Sequence, residues 1–436
     1  MDATVNALVS RLRARQARVG VLGLGYVGLP LLVEFARNGY HATGFDIDAT
    51  KVAAINRGES YILDVPSRDL QSAVQAGRLR ATTDFTKLSE VDTIDICVPT
   101  PLRKTKDPDL SYVVAAVEEI AKHLRRGQLV ILESTTYPGT TDEVVQPILE
   151  RGGLKAGVDF YLAFSPERID PSNKEWTTAN IPKVVGGIDA VSTAVAAALY
   201  EGVAGQVVPV SSARVAEMVK LLENTFRAVN IGMVNELALM CHDLGVDVWE
   251  VIDAAKTKPF GFMPFYPGPG LGGHCIPIDP FYLSWKARQN GFESRFIELA
   301  GHVNSGMPRF VVGRVADALN SVGKPIKGSR VHIFGMAYKP DVGDSRESPA
   351  IDIGRLLIQR GAIVSYTDPY VPHIEEGELN LTSVPERDAL DGGFDCALIV
   401  TNHRVFDYAT LAARAPLIVD TRNALKGQTG AHIFRL

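Results

Sequence analysis

The chain has 436 residues, of which 46% are hydrophobic, and its formal net charge at pH 7 is -5. This length allows a large core and about three domains, and the near balance of charges excludes a general attraction to nucleic acid or to anionic membrane. The N-terminal arginines precede no apolar segment of signal-peptide length and no later stretch could span a bilayer, so we expect a cytoplasmic protein that binds neither nucleic acid nor membrane.

The first elements are predicted to form a β-α-β unit. Residues 18–25 are an apolar run that enters a glycine turn, residues 31–39 have amphipathic helical spacing, and residues 41–46 read as a second strand. Helical patterns separate the later predicted strands, which are residues 93–98, 128–132 and 160–164. This alternation is typical of a parallel α/β sheet, and we assign residues 1–208 to this first domain.

The turn of this unit has the glycine pattern of a dinucleotide site. Gly23, Gly25 and Gly28 lie between a strand and a helix, and Asp46 ends the next strand about 20 residues later. Such glycines permit a tight turn, the approach of a pyrophosphate to backbone amides, and close packing of helix on strand. A carboxylate at Asp46 would accept hydrogen bonds from ribose hydroxyls and repel a 2'-phosphate, which favours NAD over NADP. The alternative is a glycine turn that serves packing alone.

The middle of the chain, residues 209–318, is predicted to be helical. Apolar residues recur at helical spacing from Ser211 to about Leu244 without a proline, which predicts one long helix. A Gly/Pro-rich loop from Lys258 to Pro280 interrupts the helical pattern, which resumes toward Ala318.

The last part, residues 319–436, looks like a degenerate copy of the first unit. A predicted strand at 329–335, helix at 351–361 and strand at 362–368 repeat the opening order. However, Ala337 stands where the first copy has Gly25, so we expect a ligand other than a dinucleotide. The predicted fold is therefore α/β, with two Rossmann-like doubly wound domains joined by a long central helix.

The four cysteines show no CxxC pair and no zinc spacing, so neither a disulfide framework nor a structural metal is expected. Cys275 ends the glycine-rich run Gly-Pro-Gly-Leu-Gly-Gly-His-Cys, where backbone amides can face a ligand and stabilise a thiolate. Cys97 and Cys396 lie in apolar strands and Cys241 in a helix, where a buried thiol is the simpler role. A metal site built from His274, Cys275 and Asp279 lacks a supporting second cluster of ligands.

Several blocks along the chain share one resemblance. They are Gly-Leu-Gly-Tyr-Val-Gly-Leu-Pro at 23–30, Val-Pro-Thr-Pro at 98–101, Glu-Ser-Thr-Thr-Tyr-Pro-Gly-Thr at 133–140, Ser-Pro-Glu-Arg at 165–168, the cysteine loop, and Gly-Met-Ala-Tyr-Lys-Pro-Asp at 335–341. In this order they resemble the UDP-glucose/UDP-N-acetylmannosamine dehydrogenase family over nearly the whole chain. The resemblance implies NAD on the first domain, UDP-sugar between the two Rossmann-like domains, and a long helix that also forms a homodimer or a higher homo-oligomer.

The resemblance also implies catalytic roles. Cys275 would be the nucleophile, and the residues around the reacting carbon would be Lys220, Asn224, Asp279, Glu167 and Thr135. One NAD would oxidise the C6 alcohol to an aldehyde, the thiolate would add, and a second NAD would give a thioester that water hydrolyses. Lys220 and Asn224 are four residues apart on one helix face, where both could stabilise negative charge. The identity of the base stays open, and each polar residue taken singly could have a structural role.

Further ligand contacts follow from the same resemblance. The cofactor-binding set is Gly23, Gly25, Tyr26, Val27, Gly28, Asp46, Lys51, Thr100, Thr135 and Arg346. The substrate-binding set is Glu167, Arg168, Lys220, Asn224, Gly272, Lys339 and Arg422, and for Arg422 an ordinary surface position is the main alternative.

The identity of the sugar is the least explicit prediction. The lead-in at 10–19 and the runs at 58–62, 165–171 and 296–300 look more like the bacterial N-acetylhexosamine branch, so we expect UDP-N-acetylglucosamine 6-dehydrogenase activity for surface polysaccharide. UDP-N-acetylmannosamine and UDP-glucose are the alternative substrates. A two-electron dehydrogenase of the hydroxyacid type and a non-enzymatic nucleotide-binding module are the rival classes.

Overall fold

The computed structural model describes residues 3–62, 65–103, 107–169, 175–177, 179–273 and 275–436. The chain divides into two units by its contacts. The first comprises the residues up to Glu223 together with Trp285–Gly291, and the second comprises Asn224–Ser284 with Phe292–Leu436. The three-part division of the sequence stays a prediction.

The first unit is built on one eight-stranded sheet. Its strands are β1 (Arg18–Leu22), β2 (His41–Phe45), β3 (Leu79–Thr82), β4 (Thr93–Ile96), β5 (Leu129–Leu132), β6 (Tyr161–Phe164), β7 (Lys183–Gly187) and β8 (Val207–Pro209). They lie in the order β3-β2-β1-β4-β5-β6-β7-β8. All neighbouring pairs are parallel except β6 and β7, which are antiparallel. The predicted parallel sheet is confirmed.

One helix precedes these strands and others connect them. They are α1 (Ala3–Arg13), α2 (Gly28–Arg37), α3 (Ala49–Asn56), α4 (Ser67–Gln75), α5 (Ser111–His123), α6 (Gln146–Leu149) and α7 (Ala190–Tyr200). In β5, Leu129 and Ile131 belong to one apolar cluster and Val130 and Leu132 to another. Successive strand residues point to opposite faces, so the sheet is buried on both sides, as its unbroken apolar runs predict.

Four helices follow the first sheet in the described part of the chain, and the first and last of them are long. They are α8 (Ala213–Leu244), α9 (Val248–Ala255), α10 (Asp279–Gln289) and α11 (Arg295–Asn320). Helix α8 has 32 residues and confirms the predicted long central helix. Pro308 lies inside α11 and is buried. Among the described residues, none of the helices is long and apolar enough to cross a membrane.

The second unit carries a smaller sheet. Its strands are β9 (Arg330–Phe334), β10 (Ile363–Thr367), β11 (His373–Glu376), β12 (Leu379–Thr382), β13 (Cys396–Ile399), β14 (Ile418–Asp420) and β15 (Ile433–Arg435), and its helices are α12 (Pro349–Gln359), α13 (Glu386–Gly392) and α14 (Tyr408–Arg414). Five strands lie parallel in the order β10-β9-β13-β14-β15, while β11 and β12 form a separate antiparallel pair. The β9-α12-β10 order repeats β1-α2-β2, which confirms the second Rossmann-like unit.

Candidate active site

In the turn between β1 and α2, backbone packing requires glycine at two of the three glycine positions. Gly23 has φ +93°, and a Cβ there would lie 2.7 Å from the carbonyl oxygen of Cys97. A Cβ on Gly28 would lie 1.9 Å from the carbonyl oxygen of Gly23. A Cβ on Gly25 would meet no atom within 4 Å. Packing therefore does not account for Gly25, and the open space beside it fits the approach of a pyrophosphate.

Asp46 closes this turn at the end of β2. Its side chain is almost fully buried, with Oδ2 accepting a hydrogen bond from the Leu24 amide at 2.8 Å and Oδ1 accepting one from the Asp48 amide at 2.9 Å. Lys51 Nζ lies 4.0 Å from Asp46 Oδ2. Each carboxylate oxygen has two lone pairs, so this carboxylate retains capacity to accept ribose hydroxyls. The turn and its acid together fit NAD.

The other predicted cofactor residues of the first unit follow the carboxyl ends of neighbouring strands. Tyr26 is exposed and Val27 half-buried in the glycine turn, while Thr100 and Thr135 are half-buried beyond β4 and β5. Since β1, β4 and β5 are parallel neighbours, these residues share one edge of the sheet. Ligands of open α/β sheets bind at this edge.

Glu167 lies in the segment after β6, and both its carboxylate oxygens and its backbone carbonyl have polar partners. Its Oε1 accepts hydrogen bonds from the Arg168 amide at 2.8 Å and the Ile169 amide at 2.7 Å. Its Oε2 lies 3.5 Å from Lys183 Nζ, and its backbone carbonyl accepts a hydrogen bond from Lys220 Nζ. Lys220 is buried, so it is not the solvated lysine that a helix surface usually presents.

Arg168, predicted to bind substrate, is engaged within the protein. Its Nη2 lies 2.6 Å from Glu223 Oε1 and its Nε 3.2 Å from Glu223 Oε2. Its Nη1 donates to the carbonyl oxygen of Pro182 at 2.8 Å. This fork holds the Glu167 segment to α8, so a substrate group would have to share the guanidinium with Glu223.

In the second unit, Cys275 lies just before α10. It is exposed, whereas Cys97, Cys241 and Cys396 are buried. The carbonyl oxygen of Cys275 accepts hydrogen bonds from the Ile278 amide at 3.1 Å and the Asp279 amide at 2.8 Å. Asp279 is buried in the first turn of α10, and Asn224 Nδ2 donates to its Oδ2 at 2.5 Å. Three predicted catalytic residues are thus linked through one local network.

The glycine-rich loop before Cys275 packs against segments that carry other predicted ligands. A Cβ on Gly272 would lie 2.7 Å from Tyr338 Cβ, and the Gly273 amide donates to the carbonyl oxygen of Arg346 at 3.1 Å. Lys339, next to Tyr338, is half-buried. The Arg346 guanidinium pairs with Asp344, at 2.5 Å between Nη2 and Oδ2.

Arg422 is not an ordinary surface residue. It is half-buried, its Nε donates to the carbonyl oxygen of Val400 at 2.8 Å, and a Cβ on Gly268 would lie 2.6 Å from its Nη1. Burial lowers the pKa of Arg422 to about 10, so the guanidinium remains charged at neutral pH. A fixed cation against the glycine-rich loop suits a diphosphate.

The sequence does not reveal how many hydrogen bonds the Asp368 carboxylate accepts. This acid follows β10 as Asp46 follows β2. Its Oδ2 accepts from the Met336 amide at 2.7 Å, the Ala337 amide at 2.9 Å and His403 Nε2 at 3.0 Å, and its Oδ1 accepts from two further amides. Five donors leave little capacity for ribose hydroxyls. This supports the expectation that the second unit holds a different ligand from the first.

Two further features were also missed. Glu217 on α8 accepts hydrogen bonds from the Gly139 amide at 2.6 Å and the Thr141 amide at 2.9 Å, which holds the segment after Thr135. Lys183 and Glu133 form a buried ion pair at 3.0 Å. Glu133 stands inside a block that the sequence singled out, and a lysine beginning an apolar strand was the available signal for Lys183.

None of the His, Cys, Asp and Glu side chains in the described residues forms a group of three or more that could hold a metal ion. His274, part of the alternative metal site, lies outside the described residues.

Three family models cover most of the chain. All belong to the UDP-glucose/GDP-mannose dehydrogenase family, and they match its NAD binding domain at residues 17–204, its central domain at 214–306 and its UDP binding domain at 332–427.

Individual relatives match over almost the full length. A UDP-N-acetyl-D-mannosamine dehydrogenase of Pyrococcus horikoshii is 36% identical over 424 residues, covering 96% of this chain and 98% of the relative. A UDP-N-acetyl-D-glucosamine 6-dehydrogenase of Pseudomonas aeruginosa is 36% identical over 394 residues, covering 90% and 92%. The solved structure of a UDP-D-ManNAc dehydrogenase from Pyrococcus horikoshii superposes with a TM-score of 0.88 at 35% identity, covering 96% of this chain and 98% of that one.

Proposed function

Because the chain belongs to the UDP-glucose/GDP-mannose dehydrogenase family, and is thus an NAD-dependent nucleotide-sugar dehydrogenase, we propose that it oxidises C6 of UDP-N-acetyl-D-glucosamine to the carboxylate through a thioester on Cys275. The observation that carries the proposal is the exposed Cys275 thiol four residues before Asp279, whose carboxylate binds the Asn224 amide. A two-electron dehydrogenase needs no such thiol.

The covalent chemistry takes place on the cysteine. Bound NAD supplies the hydride acceptor, once for the C6 alcohol and once, in a second molecule, for the thiohemiacetal. The Cys275 thiolate adds to the aldehyde carbon, which gives the thiohemiacetal that the second oxidation converts to a thioester. Water then attacks the thioester carbon, which releases the uronate and regenerates the thiol.

Lys220 and Asn224 are proposed to stabilise negative charge on the C6 oxygen. Both are buried on α8, where an ammonium and an amide act more strongly than in water. Asp279 fixes the Asn224 amide by accepting from its Nδ2, so the amide cannot rotate without losing that bond. We propose that Asp279 also positions or activates water, with Thr135 assisting. Glu167 holds the Lys220 ammonium through its carbonyl oxygen.

Binding of the two ligands is assigned to different units. In the first, NAD would be held by Gly23, Gly25, Gly28 and Asp46. Gly23 and Gly28 shape the turn, Gly25 faces the open space that a pyrophosphate would enter, and Asp46 retains acceptor capacity. In the second, Lys339, Arg422 and the loop at Gly272 would hold the UDP group, because Arg422 is a fixed cation against a glycine-rich backbone.

The choice of sugar is supported by motif similarity and by the Pseudomonas aeruginosa relative, a UDP-N-acetyl-D-glucosamine 6-dehydrogenase. UDP-N-acetyl-D-mannosamine is the second candidate, because the Pyrococcus horikoshii relative acts on that epimer at equal identity. The epimers differ only in the direction of one acetamido group. We propose that the acidic product serves surface polysaccharide such as O-antigen or capsule.

The test counts NADH formed per sugar with excess NAD and limiting UDP-N-acetylglucosamine, UDP-N-acetylmannosamine or UDP-glucose. We expect two NADH per UDP-N-acetylglucosamine and the highest kcat/KM for that sugar. A clear preference for another sugar would refute the substrate proposal alone. One NADH per sugar would favour a two-electron dehydrogenase, and NAD binding without NADH formation from any sugar would favour a nucleotide-binding module.

A homodimer through α8 is also proposed. Exposed apolar side chains on this helix recur every four or seven residues, at Leu222, Phe226, Met233, Met240 and Leu244. This spacing keeps them within a narrow arc of the helix, as in a helix that pairs with another. An exposed apolar stripe of this length marks an interaction surface, and a second copy supplies an identical stripe.

Met233→Glu, in the middle of the stripe, is expected to give a monomer when molar mass is measured by light scattering after gel filtration. The matched control is Arg227→Glu, which adds an acid at an exposed position of α8 outside the stripe. Equal molar masses for both variants and the wild-type chain would contradict the proposed interface.

A further inference from the structure

Four polar side chains from separate elements form a cluster in the first unit, and one of them, Lys183, also contacts Glu167. Lys183 Nζ, at the start of β7, lies 3.0 Å from Glu133 Oε2 and 3.5 Å from Glu167 Oε2. The Tyr200 hydroxyl, at the end of α7, contacts Glu133 Oε1 and lies 2.8 Å from Asp95 Oδ1 of β4. All five residues are buried. Their interior position makes every charge in this cluster costly unless it is compensated.

The number of available hydrogens indicates that one of the two carboxyl groups that contact Tyr200 is protonated. A tyrosine hydroxyl has a single hydrogen, so Tyr200 can donate to only one of the two carboxylates that it contacts. The other carboxyl must donate to the Tyr200 oxygen, and it must therefore be protonated. Asp95 is the better candidate, because its Oδ2 has no hydrogen-bond partner in the described part of the chain. Burial and the Glu133 charge also raise the pKa of Asp95 well above its ordinary value.

A neutral Asp95 leaves Lys183 with two anionic neighbours. Burial alone would lower the pKa of Lys183, but the Glu133 and Glu167 carboxylates outweigh it and the pKa is raised. The ammonium is therefore charged, and it attracts both carboxylates at short range where little water screens them. One of them, Glu133, balances the charge. The other, Glu167, belongs to the segment that accepts the hydrogen bond from Lys220 through its backbone carbonyl.

We propose that Lys183 is a positioning residue for the reaction: its buried ammonium fixes Glu167, and the Glu167 carbonyl in turn sets the position of the Lys220 ammonium. This inference rests on the proposed function, in which Lys220 stabilises charge on the C6 oxygen. The competing explanation is purely structural, namely that Lys183 only neutralises the buried Glu133. The two explanations differ in what happens when Glu133 no longer needs a counter-charge.

The experiment compares four chains: the wild type, Glu133→Gln, Lys183→Met, and the double variant Lys183→Met with Glu133→Gln. Lys183→Met leaves Glu133 buried without a counter-charge and is expected to lower Tm by more than about 5 °C. The double variant also removes the Glu133 charge and leaves only Glu167 without its cation, so its Tm should lie above that of Lys183→Met and below that of Glu133→Gln. Its kcat should nevertheless stay at least about 10-fold below that of Glu133→Gln, because Lys220 is no longer held. The KM for NAD should change less than about twofold, since the glycine turn is untouched.

Lys183→Arg in the wild-type background provides the conservative rescue, because it keeps the charge, and its kcat should lie closer to wild type than that of the double variant. The inference is overturned if the double variant recovers the kcat of Glu133→Gln, because Lys183 would then affect the reaction through Glu133 alone. If the wild type forms no NADH from any of the three UDP-sugars, the proposed function itself is refuted.

Discussion

Cys275→Ala is expected to lower turnover of the UDP-sugar to the uronate by at least about 10³-fold, the scale seen when a covalent nucleophile is removed. Without the thiol, the aldehyde cannot form the thiohemiacetal, so the second hydride has no carbon from which to leave. The measurement is NADH release under multiple turnover, with the sugar product identified by mass spectrometry. Stability should change little, because Cys275 is exposed.

The matched control is Cys241→Ala, which removes a buried thiol from α8 that has no proposed role in the reaction. We expect Cys241→Ala to keep two NADH per sugar. Two NADH per sugar from Cys275→Ala would contradict the thioester mechanism, and it would leave the family assignment intact.

Gly28→Ala is expected to prevent stable folding of the first unit, whereas Gly25→Ala is expected to affect only cofactor binding. A Cβ on Gly28 would sit 1.9 Å from the Gly23 carbonyl oxygen, far inside contact distance, so α2 would have to move away from β1 at a cost of about 3 kcal/mol or more. A Cβ on Gly25 meets nothing in the protein, so it would clash only with an approaching pyrophosphate.

Thermal unfolding and NAD titration separate the two outcomes. Gly25→Ala should unfold within about 2 °C of the wild type, while its Kd for NAD rises about 10-fold or more. Gly28→Ala should lose soluble protein or show a Tm lower by more than about 8 °C. Wild-type NAD affinity in Gly25→Ala would show that the pyrophosphate does not approach this turn.

The sequence was most informative where one pattern determines one structure. Unbroken apolar runs between helical segments predicted the parallel sheet because a strand buried on both faces has no polar side, as β5 shows with Leu129 to Leu132 in two cores. The long proline-free run predicted α8 to within two residues at its start. Both features depend on local sequence patterns and not on which distant residues meet.

The sequence alone could not predict which distant charged residues form ion pairs. Nothing in the chain shows that Lys183 meets Glu133, 50 residues away, or that Arg168 is held by Glu223, because a charged residue in isolation looks like a solvated one. Arg422 illustrates the same limit, because only its packing against Gly268 distinguishes it from a surface arginine. The proposed roles of the catalytic and ligand-binding residues remain predictions.

The two acids that close the Rossmann-like turns differ in a way that residue type cannot reveal. Asp46 accepts from two backbone amides and keeps acceptor capacity, whereas Asp368 accepts from four amides and His403. The three additional donors to Asp368 are His403, which follows β13, and two further backbone amides. The same acid at the same place is therefore a proposed ligand contact in one unit and a structural brace in the other.

The dual use of Asp46 limits how cofactor preference could evolve. Replacing this carboxylate to admit NADP would also leave the buried Leu24 amide and the part-buried Asp48 amide without an acceptor. An unsatisfied buried amide costs about 1–3 kcal/mol. Selection for the phosphorylated cofactor would therefore act against the stability of the turn. We expect successful switches at this position to retain an acceptor such as asparagine and to introduce a cation elsewhere.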